Sequence, residues 1–363
     1  MIMFYMPVKV FDEEDCINKN SKELSVLGNK AMLVTGRNSA RKCGALQDIT
    51  ETLKLLKISW VEFSEVEENP SVETVMKARE IGIAEKVDFI VGIGGGSPMD
   101  AAKAIALMIR NNEKNRHYLF EEGNSSDHLP LAMVPTTCGT GSEVTPFSVI
   151  TNHATQSKVS IPYKIFANLA FIDGKYLRGV SRTVLSNTTM DAFAHLVESY
   201  INTKATDYSR MCVNAGLEIW KRSKDIILGE RKPSDDDYKN MLRASMMAGM
   251  AITHTGTSLP HALSYRLTYT DNIAHGRACA YFLKGFLREA DPAMRAHVLG
   301  LAGFEDIEDL QNYYVNTCGN LKVSEELLEQ TVQDVISMPG KLSSAPFETD
   351  IQVLRRIAGI SSF

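Results

Sequence analysis

Cysteine is sparse and scattered: the six thiols at positions 16, 43, 138, 212, 279 and 318 form no C-x-x-C pair and no cluster. A disulfide framework and a thiolate metal site are therefore not expected, and the thiols read as reduced, cytoplasmic ones. Basic runs with interleaved aromatics are also missing. Lys and Arg number 39 against 44 Asp and Glu, a formal charge of -5, so nucleic acid is not an expected partner. No apolar stretch approaches the ~18 residues of a membrane helix. Met1 to Pro7 lack the basic start and long apolar segment of a secretory leader. The expectation is a soluble, cytoplasmic chain with no membrane partner. Repeats, low-complexity tracts and Gly/Ser linkers are absent as well. Composition, at 44% hydrophobic and 23% charged, is that of a globular enzyme, and 363 residues suggest two domains at roughly 100–200 residues each. Tight packing with a ligand cleft between them is expected.

What is present in the first half is alternation. Buried-strand patterns at Lys30–Gly36, Ser59–Val66, Val87–Ile93, Leu129–Pro135 and Leu169–Asp173 alternate with helical ones at Ser39–Lys57, Ser71–Ile81 and Pro98–Arg110, the signature of βαβ units and a parallel sheet. After Gly179 strand signals nearly vanish. Ser186–Asn202, Tyr208–Arg222, Tyr238–Thr253 and Ile307–Asn316 carry apolar spacings of three and four, while Arg231–Asp237 reads as a surface loop. We expect an α/β domain over residues 1–179 and an all-α domain over 180–363.

Gly92-Ile93-Gly94-Gly95-Gly96-Ser97-Pro98-Met99-Asp100 follows the third strand and opens a helix. Residues without a Cβ let the backbone approach a phosphate, and the N–H groups of the first helical turn point at it. Pro98 suits that turn, where its missing donor costs nothing. The run reads either as an anion cradle or as a tight turn without a ligand. Ser97 stands where the last glycine of G-x-G-x-x-G belongs, and a third strand is an unusual place for that fingerprint.

Asp191 and His195 lie four apart on a predicted helix, about 40° apart around its axis, with small or apolar neighbours on that face. Such a pair either satisfies itself or binds metal. His261 and His275, at probable helix starts in a segment poor in charge, complete an N3O set from three of the eight histidines. That set suits Fe(II) or Zn(II) better than Mg(II) or Ca(II), and spacing does not choose between iron and zinc.

Four motifs in order, Gly94-Gly95-Gly96-Ser97-Pro98-Met99-Asp100-Ala101-Ala102-Lys103, Pro135-Thr136-Thr137-Cys138-Gly139-Thr140-Gly141-Ser142-Glu143-Val144, Asp191-x3-His195 and His261-x13-His275, resemble the iron-containing (group III) alcohol dehydrogenase family over nearly the whole chain. The sequence is most similar to its short NADP-dependent alcohol and 1,3-propanediol dehydrogenases. The resemblance implies a Rossmann-like N-terminal domain and a helical, metal-holding C-terminal domain, an architecture like that of dehydroquinate synthase. A dinucleotide across the cleft and a homodimer are implied too. By motif it makes Asp191, His195, His261 and His275 the metal ligands and, through the metal, the catalytic groups. Gly95, Gly96 and Ser97 take the pyrophosphate, with Asp100 in the same motif. Asn69, Thr136, Thr137, Thr140, Ser142, Phe147 and Lys158 line the cofactor site.

After the first of these strands, Gly36-Arg37-Asn38-Ser39-Ala40-Arg41-Lys42 has no carboxylate to meet a ribose 2′-hydroxyl or repel a 2′-phosphate. Gly36 leaves space, Ser39 can donate, and Arg37, Arg41 or Lys42 can offset charge, which favours NADP(H) over NAD(H). In the family, a glycine with a nearby serine marks NADP enzymes at this place. The expected function is hydride transfer between NADP(H) and a small alcohol or aldehyde, a primary alcohol or diol such as butanol or 1,3-propanediol. The alternative is a nucleotide-dependent lyase of the dehydroquinate synthase type. That reaction needs dense basic residues around the metal, whereas the segments nearest the ligands are apolar or neutral apart from Arg266. Tyr265 stands where many family members carry a second histidine, and reads as a hydrogen-bonding wall residue or a proton-transfer group. His254 and Cys138 read as structural.

Overall fold

The computed structural model describes residues 4–360. They form two compact units: one of Met6–Thr137 and Gly141–Gly179, and one that runs from Val180 onward and also takes in Cys138–Thr140, Phe4 and Tyr5.

The first unit is built on parallel strands β1 (Lys9–Asp12), β2 (Lys30–Gly36), β3 (Ser59–Val66), β4 (Phe89–Gly94) and β5 (Leu131–Pro135). An antiparallel hairpin follows, β6 (Val149–Asn152) with β7 (Ser157–Ser160), and then β8 (Leu169–Ile172) returns to the main sheet. The sheet order is β1-β8-β5-β4-β2-β3. β4 is buried along its whole length, as a central parallel strand covered on both faces must be. Its apolar run, and those of β2 and β5, are why these strands are legible in the sequence. Helices α1 (Ala45–Leu55), α2 (Val72–Ala84) and α3 (Gly96–Arg110) make the crossovers. β3 lies on one side of β2 and β4 on the other, so the carboxyl ends of β2 and β4 form the switch point at which such sheets take ligands.

The sheet unit departs from expectation in one helix and in its short strands. The helix expected over Ser39–Lys57 is broken at Gly44, whose φ of +85° ends a short helical turn at Lys42 before α1 begins. β1 and the β6–β7 hairpin were not expected. Each strand has 4 residues with polar ones among them, and so lacks the unbroken apolar run that makes the equally short β8 legible.

The second unit is helical: α4 (Arg182–Tyr200), α5 (Asp207–Trp220), α6 (Asp235–Thr255), α7 (Leu259–Thr270) and α8 (His275–Tyr281) lead into further helices ending with Ile351–Ala358. Ser181 caps α4 by accepting from the Val184 amide. Thr206 and Ser234 form capping boxes with Ser209 and Asp237 on α5 and α6. The expected loop Arg231–Asp237 is therefore corrected at its end: Asp235, Asp236 and Asp237 are the first turn of α6, where acidic groups suit the helix dipole. α4 is buried on most of its surface from Leu185 to Ser199, the pattern of a helix surrounded by others. No helix among the described residues is long and apolar enough to cross a membrane.

Candidate metal centre and nucleotide cradle

α4 carries Asp191, His195 and Glu198 inward, all buried. α7 opens with Leu259-Pro260-His261, Pro260 in its first turn, and α8 opens with His275. Gly276 lets α8 approach α4: a Cβ there would lie 1.9 Å from the Asn187 carbonyl oxygen. The result is a convergence of donors. Donor atoms of Asp191, His261, His275 and Cys279 all lie within 4.8 Å of one another. His261 Nε2 is 3.5 Å and His275 Nε2 3.8 Å from Asp191 Oδ1. Bonds of about 2.0–2.3 Å to a shared ion put donors at roughly such separations. The His195 ring stacks on that of His261 at 4.2 Å between centroids, and stands beside this group while Cys279 stands in it.

Two observations show that a cation fits. Asp191 Oδ1 and His261 Nε2 are buried without a hydrogen-bond partner, and polar atoms are rarely left so in a folded interior. Two buried carboxylates, Asp191 and Glu198, also require compensating charge. Burial alone would raise the Asp191 pKa, but His195, His275 and His261 hold it well below the usual carboxylate range. Burial and the neighbouring His261 push His195 down to about 4, so it is neutral at pH 7 and free to ligate. Burial disfavours a proton on His261, yet Cys279, Glu198 and Asp191 together raise its pKa well above the ordinary value. The buried carboxylates thus draw positive charge toward His261, a demand that a divalent ion would also meet.

Glu198 fixes the ring of His261. Its Oε1 accepts from His261 Nδ1 at 2.5 Å, and its Oε2 accepts from the Ser258 amide at 2.5 Å. Nε2 is thereby turned toward Asp191, the carboxylate–histidine arrangement typical of metal ligands. Glu198 was missed in the sequence, where the other positions on the Asp191 face were expected to be small or apolar. The signal was there: Glu198 lies seven after Asp191, two helical turns on. Cys279 was also missed, although it follows His275 by one turn. Tyr265 is half-buried one turn after His261, with the Lys341 ammonium 5.9 Å over its ring. Arg266 makes a two-pronged ion pair with Asp334. Cys138 packs its sulfur at 3.4 and 3.6 Å from the Thr188 and Thr189 hydroxyls. His254 bonds the Met250 carbonyl and accepts from the Tyr5 amide.

In the sheet unit, the β4–α3 turn gathers most of the predicted cofactor residues. Gly94 is paired with Pro135 across the sheet, and its carbonyl accepts from the Thr136 amide at 2.8 Å. Gly95 is extended and caps α3, and a Cβ there would come 2.9 Å from Thr137 Oγ1. Gly96 and Ser97 open the helix, with Ser97 Oγ accepting from the Asn69 amide. Thr136 Oγ1 is buried without a partner. The hairpin is tied to the Asn69 loop by Thr151, whose hydroxyl donates to the Asn69 carbonyl, and Lys158 lies opposite Thr151 in the register.

Asp100, Ser142 and Phe147 serve this turn from beneath. The Asp100 carboxylate accepts from Ser142 Oγ and the Val149 amide, and buried Lys103 donates to Ser142 Oγ and the Ser142 and Phe147 carbonyls. Gly36 sits with Ser39 Oγ and Pro98 at 3.8 and 3.9 Å from the position of a Cβ. Thr140 belongs to the helical unit with Cys138 and Gly139.

Residues 7–174 match the profile described as iron-containing alcohol dehydrogenase, and residues 185–335 match that of the C-terminal region of the Fe-containing alcohol dehydrogenase family. The chain belongs to the iron-containing alcohol dehydrogenase family. Long-chain-alcohol dehydrogenase 1 of Geobacillus thermodenitrificans is 29% identical over 93% of this chain and 91% of its own. The NADPH-dependent butanol dehydrogenase of Clostridium saccharobutylicum is 28% identical over 78% of this chain and 72% of its own. A crystal structure of an iron-containing alcohol dehydrogenase from Thermotoga maritima matches with a TM-score of 0.90 at 34% identity, covering 98% of each chain. By family this chain is accordingly an oxidoreductase of the alcohol dehydrogenase type.

Proposed function

We propose that this dehydrogenase interconverts a small primary alcohol or diol and its aldehyde, with NADP(H) as hydride carrier and Fe(II) or Zn(II) held by Asp191, His195, His261 and His275. Nucleotide binding is assigned to residues 1–179, together with Thr140, and metal and substrate binding to residues 180–363. The observation that carries the metal assignment is the pair of buried donor atoms Asp191 Oδ1 and His261 Nε2, which make no hydrogen bond and face each other at 3.5 Å. When bound, such an ion acts as a Lewis acid toward the substrate oxygen. The chain's own residues orient and exclude. Glu198 holds His261 in one ring orientation, and Asp191, His195 and His261 are themselves buried away from water. His275, with its side chain 31% exposed, is the ligand that borders accessible space, so a substrate oxygen approaches from its side.

For the cofactor, the N–H groups at the start of α3 and the partnerless Thr136 hydroxyl suit a pyrophosphate. The preference for NADP(H) rests on Gly36. Its nearest neighbours are 3.5 Å or more from where a Cβ would be, and Ser39 adjoins it. Arg41 is drawn into an ion pair with Glu62, which leaves Arg37 and Lys42, both exposed, to offset a 2′-phosphate. The NADPH-dependent butanol dehydrogenase among the relatives supports the same choice.

The test is elemental analysis of anaerobically purified protein joined to steady-state kinetics with butanol, 1,3-propanediol and their aldehydes, using both nicotinamide nucleotides. Sustained turnover with higher kcat/KM for the NADP couple is expected. Preference for NAD(H), or turnover undiminished after the metal is stripped, would overturn the assignment. A Gly36→Asp variant should raise the KM for NADPH and leave that for NADH little changed.

A further inference from the structure

We infer that Cys279 is itself a donor to the cation at Asp191, His261 and His275, giving this centre a sulfur ligand. The inference rests on the metal centre proposed above and concerns which atoms complete it. Position is the first support: Cys279 Sγ lies within 4.8 Å of donor atoms of all three residues. The second is what the sulfur shares that space with. Asp191 Oδ1 and His261 Nε2 are both buried without a hydrogen bond and meet only as a long ion pair at 3.5 Å, so the thiol borders polar atoms that no short bond satisfies.

The third support is how the thiol is held. α8 places Cys279 one turn after His275, and the residue is fully buried. Its S–H donates to Ser264 Oγ at 3.3 Å, and Ser264 donates in turn to the His261 carbonyl at 2.7 Å. One serine thus ties the cysteine to the turn that carries a ligand and sets its sulfur against the His275 ring, 3.8 Å from Nδ1 and 3.7 Å from Nε2. Cys138, the other thiol near α4, has instead two threonine hydroxyls as partners. When a divalent ion enters, the metal–sulfur bond forms as the S–H bond breaks, and the proton leaves to solvent. The Ser264 hydroxyl can then turn and donate to the sulfur. A thiolate beside imidazoles and one carboxylate makes a softer site than nitrogen and oxygen alone, one suited to zinc.

The full-length protein, stripped of metal and titrated anaerobically with cobalt(II), tests this directly. Visible d–d absorption reports that cobalt is bound, and a near-ultraviolet thiolate-to-cobalt band reports sulfur ligation. The wild type should show both. Cys279→Ser should keep the visible absorption and lose the near-ultraviolet band, whereas Cys212→Ser, which removes a buried thiol on α5, should keep both. X-ray absorption of the zinc-loaded wild type needs no variant, and should show one sulfur neighbour at about 2.3 Å. Cobalt bound without the sulfur band, a band that survives in Cys279→Ser, or a zinc shell of nitrogen and oxygen alone would each overturn the inference while the metal centre stands. Failure to take up cobalt at all would overturn both.

Discussion

Glu198 is spent on positioning, and the proposed metal centre depends on it. With both oxygens committed to His261 Nδ1 and the Ser258 amide, it fixes which nitrogen of His261 is offered inward and where α7 begins. Glu198→Gln keeps the shape but removes the charge that makes His261 a strong donor. Metal affinity should fall on the order of 10–100-fold, measured by competition with a chromogenic chelator. Unchanged affinity would mean that Glu198 is a filler of the helical core and that another group orients the ring. At this scale the sequence was partly legible. Histidines and aspartates at metal spacing announce themselves because few other roles gather them. Glu198 and Cys279 did not, because a lone carboxylate or thiol in an apolar run is interpretable only once the helix phase and its neighbours are known.

The elements that bring these residues together are constrained at α8. Gly276 is required there because a Cβ would strike the Asn187 carbonyl at 1.9 Å and the Asp191 Cβ at 2.7 Å. Backbone cannot yield as a flexible side chain can, so Gly276→Ala must push α8 away from α4 or bend it. Overpacking of this kind costs about 1–3 kcal/mol, and the displacement would also part His275 from Asp191. Chemical denaturation should show lower stability, and chelator competition should show weaker metal binding. Loss of stability alone, with metal affinity intact, would show that α8 can shift without moving His275. An element could be read where its length or an unbroken apolar run set it apart. β2 and β3, with 7 and 8 residues, match the expected spans and the four-residue β8 shows through its buried Leu-Ala-Phe-Ile run, while β1, β6 and β7, equally short but partly polar, pass unnoticed. Helix starts were misplaced by one to four residues where polar caps such as Ser181 and Ser234 looked like loop.

Across the whole molecule, two groups of buried charge link stability to solution conditions. Burial pushes Glu143 up to about 7 and Lys103 down to about 8. A carboxyl that holds its proton in the folded state up to about 7, but releases it near 4.5 when unfolded, loses stability as pH rises through that window. Glu143→Gln removes the dependence. The variant should therefore be more stable than wild type at pH 8, by on the order of 1–3 kcal/mol, with the difference fading toward pH 4.5; urea unfolding at both ends of the window measures it. The second group is the proposed metal centre, where donors without a hydrogen bond and the two buried carboxylates are what a cation would satisfy. Binding to the folded state alone adds about 2.7 kcal/mol at a free-ion concentration 100 times Kd, and about 1.4 kcal/mol for each further tenfold. Anaerobic unfolding in buffered zinc should thus show a midpoint that climbs with free metal, and hydrogen exchange should slow mainly in α4, α7 and α8, which carry the donors. A midpoint indifferent to the ion, or protection spread evenly into β2, β4 and α3, would mean that metal binds elsewhere than at the histidines.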